Sequence, residues 1–323
     1  MRIAVTGSIA TDHLMTFPGS FTEQLLADKL DKVSLSFLVD KLEVRHGGVA
    51  GNISFGLGCL GLRPLLIGSV GPDFGEYRQW LEEHGVDTSR VRESTVHQTA
   101  RFTGTTDADM NQIASFYPGA MSEDASIDLA GLAGEADLVV MGAGNPAAMQ
   151  AMTSRCRELK IPFAADTSQQ LAALDGDQIR KLITGAAYLF SNDYEASLIE
   201  HKTGWSSEEL TAQVGIRITT LGSDGARVDQ AGLPPVIVGP VKDVTPADPT
   251  GSGDAFRCGF LAAVAWGLSL ERAAQLGNLT AVHALETIGT QDYVLRPAEL
   301  AERCAASYGQ VAADEIAAHF TSA

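Results

Sequence analysis

Asp248-Pro-Thr-Gly-Ser-Gly-Asp254-Ala-Phe256 is the stretch on which the reading of this chain turns. It sets two carboxylates around a Gly/Ser/Thr turn and runs directly into an apolar segment whose pattern predicts a helix over Asp254–Leu268. Gly251 and Gly253 let backbone amides converge, and the helix that follows presents its positive end to the same point, which makes an anion hole. The helix dipole favours the ionised form of Asp254, which suits it to accept a proton from an alcohol attacking a phosphoryl group. The same residues also read as a plain turn and a charge that stabilises a helix start by ~0.3–1 kcal/mol. Alone they do not choose between the two.

Outward from this turn, short apolar runs alternate with amphipathic stretches. Strands are predicted at Arg2–Ser8, Pro64–Val70, Asp137–Gly142, Pro162–Asp166, Ala187–Ser191 and Ile216–Leu221, and helices at Asp73–His84, Pro146–Leu159 and Asp193–Lys202. This rhythm predicts an α/β fold with a doubly wound, mainly parallel sheet flanked by helices. Two stretches break it. Val33, Leu35, Phe37 and Val39 alternate with Ser34 and Ser36 across Lys32–Val44, and Val96–Thr106 and Gln112–Tyr117 read as further extended segments. They predict a small half-buried sheet acting as a lid, inserted at about residues 11–46 and 96–119 of a single domain spanning 1–323. The segment from Arg296 to Phe320 reads as Ala-rich helix.

With 45% hydrophobic residues among 323, the chain has ample material for a large core, which excludes a disordered or collagenous protein. The formal net charge of −17 repels phosphate backbones and anionic lipid heads, so neither a nucleic-acid nor a membrane-surface role is expected. Cys59, Cys156, Cys258 and Cys304 are far apart and form no CxxC pair, so they are expected as buried thiols of a reducing compartment. The apolar run within MRIAVTGSIATDHL is too short for a signal h-region, and a cytoplasmic protein is expected.

Further motifs surround the first. His46-Gly-Gly-Val-Ala-Gly-Asn52 is a Gly-rich turn into a helix of small residues, where Gly48 allows close approach of a ligand and Asn52 can donate and accept toward a polyol. Simple helix initiation is the other reading. Gly56-Leu-Gly58-Cys-Leu-Gly61 spells a dinucleotide fingerprint but lies in a segment that already looks helical, so it is discounted. Asp12 is expected directly after the first strand, at the sheet edge where open α/β sheets bind ligands, or else as a turn residue. Asn192-Asp-Tyr-Glu195 ends a strand and starts a helix, so Glu195 either orients water around magnesium or only charges a helix start. Thr219-Thr-Leu-Gly-Ser-Asp-Gly225 suits a phosphate contact or an ordinary hairpin. No Walker A loop, protein-kinase HRD or DFG set, GxSxG elbow or HExxH is present.

In their order along the chain, the Gly-Gly…Asn turn, the NxxE segment, the TLGxxG turn and DPTGSGDAF resemble the PfkB, or ribokinase-like, carbohydrate kinases over essentially the whole length. The segments KVSLSFLVD, TARFTGTTD, QIASFYPGAMSE and FAADTSQQL resemble the bacterial adenosine kinase branch of that family. The resemblance implies transfer of the γ-phosphoryl of ATP, with magnesium, to the 5′-hydroxyl of adenosine. It implies Asp254 as general base and the amides of Gly251, Ser252 and Gly253 as anion hole. Ser8, Asp12, Ser36, Gly48 and Asn52 are implied as sugar-side residues, Phe102 and Phe116 as flanking the purine, and Gln169 or Gln170 as reading it. Asn192 and Glu195 match the magnesium and phosphate element, and Thr220, Gly222 and Gly225 the nucleotide loop. Asn278 and His283 fall where the ATP adenine packs. Potassium near Asp248, Thr250 and the carbonyls of residues 287–289, and a homodimer through the lid strands, are also implied. The alternatives are a family member acting on ribose, fructose or another purine nucleoside, or a catalytically silent sensor on the same fold.

Overall fold

The computed structural model describes residues 1–24 and 36–320. Nine strands form the main sheet: β1 (Ile3–Thr6), β4 (Leu65–Val70), β5 (Asp87–Glu93), β8 (Leu138–Met141), β9 (Phe163–Asp166), β10 (Tyr188–Asn192), β11 (Ile216–Thr220), β12 (Ala226–Asp229) and β13 (Val236–Val238). Four others, β2 (Ala10–Thr16), β3 (Lys41–Gly47), β6 (Ala100–Thr106) and β7 (Gln112–Tyr117), form a separate small sheet. The main sheet runs β13-β12-β11-β10-β9-β8-β1-β4-β5, parallel except for the antiparallel pairings of β12 with β11 and β13. The result is a mostly parallel sheet between helices with a separate β-sheet lid, the arrangement the resemblance implies. Every residue of β1, β4, β8 and β9 is buried, so these central strands carry continuous apolar runs.

The helices are α1 (Phe21–Gln24), α2 (Val49–Cys59), α3 (Gly75–Glu83), α4 (Pro146–Leu159), α5 (Gly176–Ile183), α6 (Asp193–Thr203), α7 (Ser207–Ala212), α8 (Ser252–Ala265), α9 (Leu270–Leu285), α10 (Pro297–Tyr308) and α11 (Gln310–Ala317). Asn145, Asp175, Asn192, Ser206 and Ser269 cap α4, α5, α6, α7 and α9 with their own side chains. By contrast, α8 starts at Gly251 in the left-handed region (φ 78°) with no side-chain cap. Its first amides therefore face the site.

Several expectations are corrected. Asp12 does not sit in a loop after the first strand but in the middle of lid strand β2, because the chain turns at Gly7 (φ 136°) and re-enters extended structure at Ala10. The alternation at Val33, Ser34 and Leu35 lies outside the described residues, residues 36–39 have no regular structure, and β3 starts only at Lys41. The C-terminal helix is two helices, broken at Gly309 (φ 93°). The GxGxxG run lies within and just beyond α2, where a Cβ at Gly56 would overlap Cys258 Sγ and one at Gly58 would overlap the His84 carbonyl. These two glycines serve helix packing. All four cysteines are free; Cys59 is half-buried and the others buried. Among the described residues no helix is long and apolar enough to cross a membrane.

Candidate active site

Two cavities meet at the N-terminus of α8. One, of about 730 Å³, lies under the lid and is bounded by Asp12, Gly48, Asn52, Phe102, Phe116 and Gln169 together with Gly251 and Asp254. The other, of about 580 Å³, is bounded by Thr220, Gly222, Gly225, Val241, Ser252, Gly253 and Asn278. Asp254 belongs to the first cavity and the Ser252-Gly253 backbone to the second, so the turn of α8 is the partition between them.

The lid contributes one transverse row. Arg45 on β3 pairs in register with Asp12 on β2, Asp12 with Phe102 on β6, and Phe102 with Phe116 on β7. Residues in register across a sheet share a face, so a cation, a carboxylate and two aromatic rings line one wall of the cavity. Gly104 keeps that wall open: a Cβ there would stand 2.9 Å from the Phe102 ring. Burial pushes the Asp12 carboxyl up to about 6, opposed by the Arg45 guanidinium. Arg45 also pairs with Glu43 and reaches the loop at Gly289, where a Cβ would lie 2.8 Å from its Nη1.

Asn52 joins this wall to Asp254. Its Nδ2 donates to Asp254 Oδ2 (2.8 Å), while its Oδ1 accepts from Gln291 Nε2 (2.9 Å). Gln291 Nε2 also donates to the Tyr77 hydroxyl (2.6 Å), Trp80 Nε1 donates to Gln291 Oε1 (3.2 Å), and Tyr77 donates to the Gly47 carbonyl (2.9 Å). The buried network fixes which end of the Asn52 amide faces Asp254. Burial pushes the Asp254 carboxyl up to about 6 against the lowering effects of Arg257 and Asn52. Its carboxylate can therefore accept a proton once it ionises above about pH 6.

Gly48 has φ 88°, and a Cβ there would come within 2.5 Å of the Ser8 carbonyl oxygen. Ser8 itself does not reach the cavity: its hydroxyl accepts from the Val49 amide (2.9 Å), which caps α2. Ser36 lies exposed in the irregular stretch before β3 and is not part of the wall. Of the glutamine pair, Gln169 lines the cavity and Gln170 does not.

In the second cavity, Thr220, Gly222 and Gly225 form the β11–β12 hairpin, and Gly225 (φ 93°) admits no Cβ because one would overlap the Val238 carbonyl. The hairpin reading and the pocket reading of this turn therefore hold together. Asn278 lines the cavity and donates to the Gly239 carbonyl (3.1 Å). His283 is off the face of α9 formed by Asn278, Ala281, Val282 and Leu285, and its charged neighbours are Arg303, Glu286, Glu299 and Arg296. Burial, first, and Arg303 push its imidazole down. Sequence spacing placed it near the cavity; helical phase turns it away.

Asn192 and Glu195 form a reciprocal capping box at α6, with Glu195 Oε2 accepting from the Asn192 amide (2.9 Å). Neither lines the cavities, although burial, against the Asn192 amide and Arg257, raises the Glu195 carboxyl. Asp248 Oδ1 accepts from the Thr250 amide (2.9 Å) and Oδ2 from the Gly289 amide (3.4 Å). Burial opposes these bonds, but they hold Asp248 below the usual carboxylate range. The loop is thus closed by the protein's own groups. Among the described residues no cluster of three or more His, Cys, Asp and Glu side chains forms a metal cage. Magnesium bound by phosphates and water with a single carboxylate needs no such cage, and Glu195 is a hard oxygen donor of that kind.

Arg45, Tyr77, Gln291 and Arg257 are among the site residues that escaped sequence reasoning. Gln291 carried no signal. Arg257 did: it is a lone cation in the buried run Ala255-Phe-Arg-Cys-Gly-Phe260, and a charge there demands a partner.

Comparison with known proteins agrees with this architecture. Residues 8–296 match the profile described as pfkB family carbohydrate kinase. A nucleoside kinase of Burkholderia thailandensis, solved in complex with inosine, superposes with a TM-score of 0.82 at 34% identity, covering 96% of this chain and 98% of that one. A nucleoside kinase of Methanothermobacter thermautotrophicus is 28% identical over 287 residues, 87% of this chain and 92% of its own length. The nucleoside kinase of Methanocaldococcus jannaschii, an archaeal member of the ribokinase family, shares the fold with a TM-score of 0.81 at 23% identity over 94% of this chain and 97% of that one. With its profile match spanning nearly the whole length and its two cavities divided by the DPTGSGD turn, the chain belongs to the PfkB family of carbohydrate kinases.

Proposed function

We propose that the protein is a purine nucleoside kinase that transfers the γ-phosphoryl of ATP to the 5′-hydroxyl of adenosine, giving AMP and ADP. One observation carries this reading: a carboxylate on the lid side and an uncapped helix start on the other side divide an aromatic-walled cavity from a second cavity. In this reading Asp12 and Asn52 hold ribose hydroxyls, Phe102 and Phe116 flank the purine, and Asp254 takes the proton of the attacking hydroxyl. The amides at Gly251 and Gly253 stabilise charge on the transferring group; that of Ser252 is partly engaged by the Pro249 carbonyl (3.3 Å). Magnesium would neutralise phosphate charge, and Glu195 is the carboxylate that would serve its water shell. Potassium, if bound, would draw on Asp248, Thr250 and the carbonyls of residues 287–289.

The test is a product assay with ATP and magnesium, with and without potassium, offering adenosine, inosine, guanosine, ribose and fructose separately. AMP formed preferentially from adenosine supports the reading. Preference for inosine, the ligand of the Burkholderia thailandensis structure, keeps the mechanism and reassigns the purine. Turnover of bare sugars alone overturns the aromatic-wall assignment, and no turnover at all favours a sensor.

Phe102→Ala and Phe116→Ala each raise nucleoside KM about 5- to 150-fold, the equivalent of ~1–3 kcal/mol of stacking per base, with kcat little changed. An unchanged KM removes the rings from the base site. Burial pushes both Asp12 and Asp254 up to about 6, so kcat/KM is expected to rise with pH more steeply than a single ionisation allows. Asp12→Asn returns the acid limb to a one-proton slope.

The lid also supports a homodimer. Leu42, Val44, Ile113 and Tyr117 are exposed and apolar on the face opposite the cavity row. Val33 and Leu35, on which the expectation partly rested, lie outside the described residues, and Phe37 packs inward on Phe17 and Phe21 (centroids 4.8 and 5.3 Å). Leu42→Glu with Ile113→Glu gives a monomer in sedimentation if a second lid covers this face.

A further inference from the structure

Arg257 lies three residues after Asp254 on α8. Its side chain is 8% exposed, and it meets Asp166, at the end of β9, whose side chain is fully buried. Nη2 donates to Asp166 Oδ1 (2.6 Å), and Nε stands 2.6 Å from Oδ2. Ser168, held at φ 38°, donates to the same Oδ1 (2.7 Å), and Arg257 Nη2 also reaches its hydroxyl (3.3 Å). The loop after β9 is thus drawn onto the pair at the cost of a strained non-glycine residue.

A buried ion pair of this kind contributes little net stability compared with apolar side chains of the same volume, because both ions are desolvated. Its orientation is what the fold obtains. Two guanidinium nitrogens face Asp166, and the third, Nη1, points the other way, toward the anion-hole turn: a Cβ at Gly253 would come within 2.8 Å of it. Gly253 is a wall residue of the second cavity. The positive end of the pair therefore lies behind the first amides of α8, adding to the helix dipole, with the Asp166 carboxylate on the far side.

We propose that Arg257, oriented by Asp166, is a positioning residue that keeps Asp254 ionised and sets a fixed positive charge behind the Gly253 amide. The catalytic part of this inference rests on the kinase reading above; the effect on Asp254 does not. The groups facing Asp254 are Asn52 from α2, Tyr77 from α3, Asp166 from β9, Glu195 from α6, Arg257 and Cys258 from α8, and Tyr293. Burial raises Tyr77, Cys258 and Tyr293 above their ordinary values, so they stay neutral around pH 6. Arg257 is the cation among these neighbours, and its loss leaves Asp254 facing Asp166 and Glu195.

The test is the titration of Asp254 in full-length protein carrying 13C-carboxyl aspartate, followed by NMR without substrate, with Asp254→Asn assigning the resonance. In the double variant Arg257→Gln/Asp166→Asn, which keeps hydrogen-bonding groups and removes both charges, the Asp254 midpoint rises by about one unit or more. Asp166→Asn alone, which keeps the cation and removes a neighbouring anion, lowers it. Arg257→Lys restores it to near the wild-type midpoint. The acid limb of kcat moves in step with each midpoint, while nucleoside Kd stays within about threefold. A folded double variant with an unmoved midpoint overturns the proposal, as does a rise in Asp166→Asn. If the double variant does not fold, the Asp166→Asn and Arg257→Lys arms still decide. Failure of the product assay sinks the kinase reading without touching the NMR result.

Discussion

Asp254→Asn lowers kcat by about 100-fold or more while nucleoside affinity stays near the wild-type value. The amide has the same shape and still accepts the hydrogen bond from Asn52, which spans 2.8 Å to Oδ2. What it loses is the capacity to take a proton as the hydroxyl attacks. Residual turnover is expected, because a loose phosphoryl-transfer transition state depends more on positioning and on charge stabilisation than on a strong base. Stability moves the opposite way, with a defined sign. The folded pKa, about 6, stands above the ordinary 3.8, so the folded state holds its proton while the unfolded chain releases it. Wild-type stability therefore falls as pH rises from about 4 to about 6, and the loss persists above that range. The variant, which carries no such ionisation, is more stable than the wild type at pH 8, and the difference closes by pH 4. Single-turnover kinetics and thermal melts at the two pH values check both halves. An unchanged kcat removes Asp254 from the role of base.

Gly48→Ala destabilises the protein by about 2–4 kcal/mol and weakens acceptor binding at the same time. The residue stands at φ 88° and ψ 138°, a region that side chains of L configuration avoid. Space is lacking as well: a Cβ would lie 2.5 Å from the Ser8 carbonyl oxygen and 2.7 Å from the Ala10 amide nitrogen. Relief requires β3 and α2 to part from the β1–β2 turn, yet that turn caps α2 through the Ser8 hydroxyl and carbonyl. The shift carries Asn52 with it, and through Asn52 Asp254. Urea denaturation together with KM for the nucleoside tests this. A variant as stable as the wild type shows that the junction yields more cheaply than its geometry implies.

Legibility in the sequence followed burial. β1, β4, β8 and β9 are buried on both faces, so their apolar runs stood out without reference to partners. β5 and β12 have exposed positions within them and escaped the reading, as did the short β13. β2 was hidden by its polar residues, since a strand that carries Asp12 on its cavity face and His13 on the other interrupts the apolar alternation by which strands are read. At the site, the DPTGSGD turn was legible because local backbone demands select its residues: Gly251 must adopt a positive φ, and Gly253 must leave room for Arg257 Nη1. Asn52 was legible as a polar residue at a Gly-rich turn, but its partner was not. Gln291 is 239 residues away, and Asp166 is 91 residues from Arg257.

The sequence by itself determined the parallel α/β core, the lid as a separate patterned sheet, and the glycine turn before α8, because local conformation and hydrophobic periodicity are written in neighbouring residues. Only the tertiary structure decided that Arg45, Asp12, Phe102 and Phe116 form one row, that Ser8 caps a helix and His283 faces away from the cavity, and that a buried Arg257–Asp166 pair stands beside the turn at Gly253. These are matters of register, helical phase and long-range pairing. Each is set by which distant side chains share a desolvated volume, and that volume exists only after the sheet has closed and the lid has been laid over it.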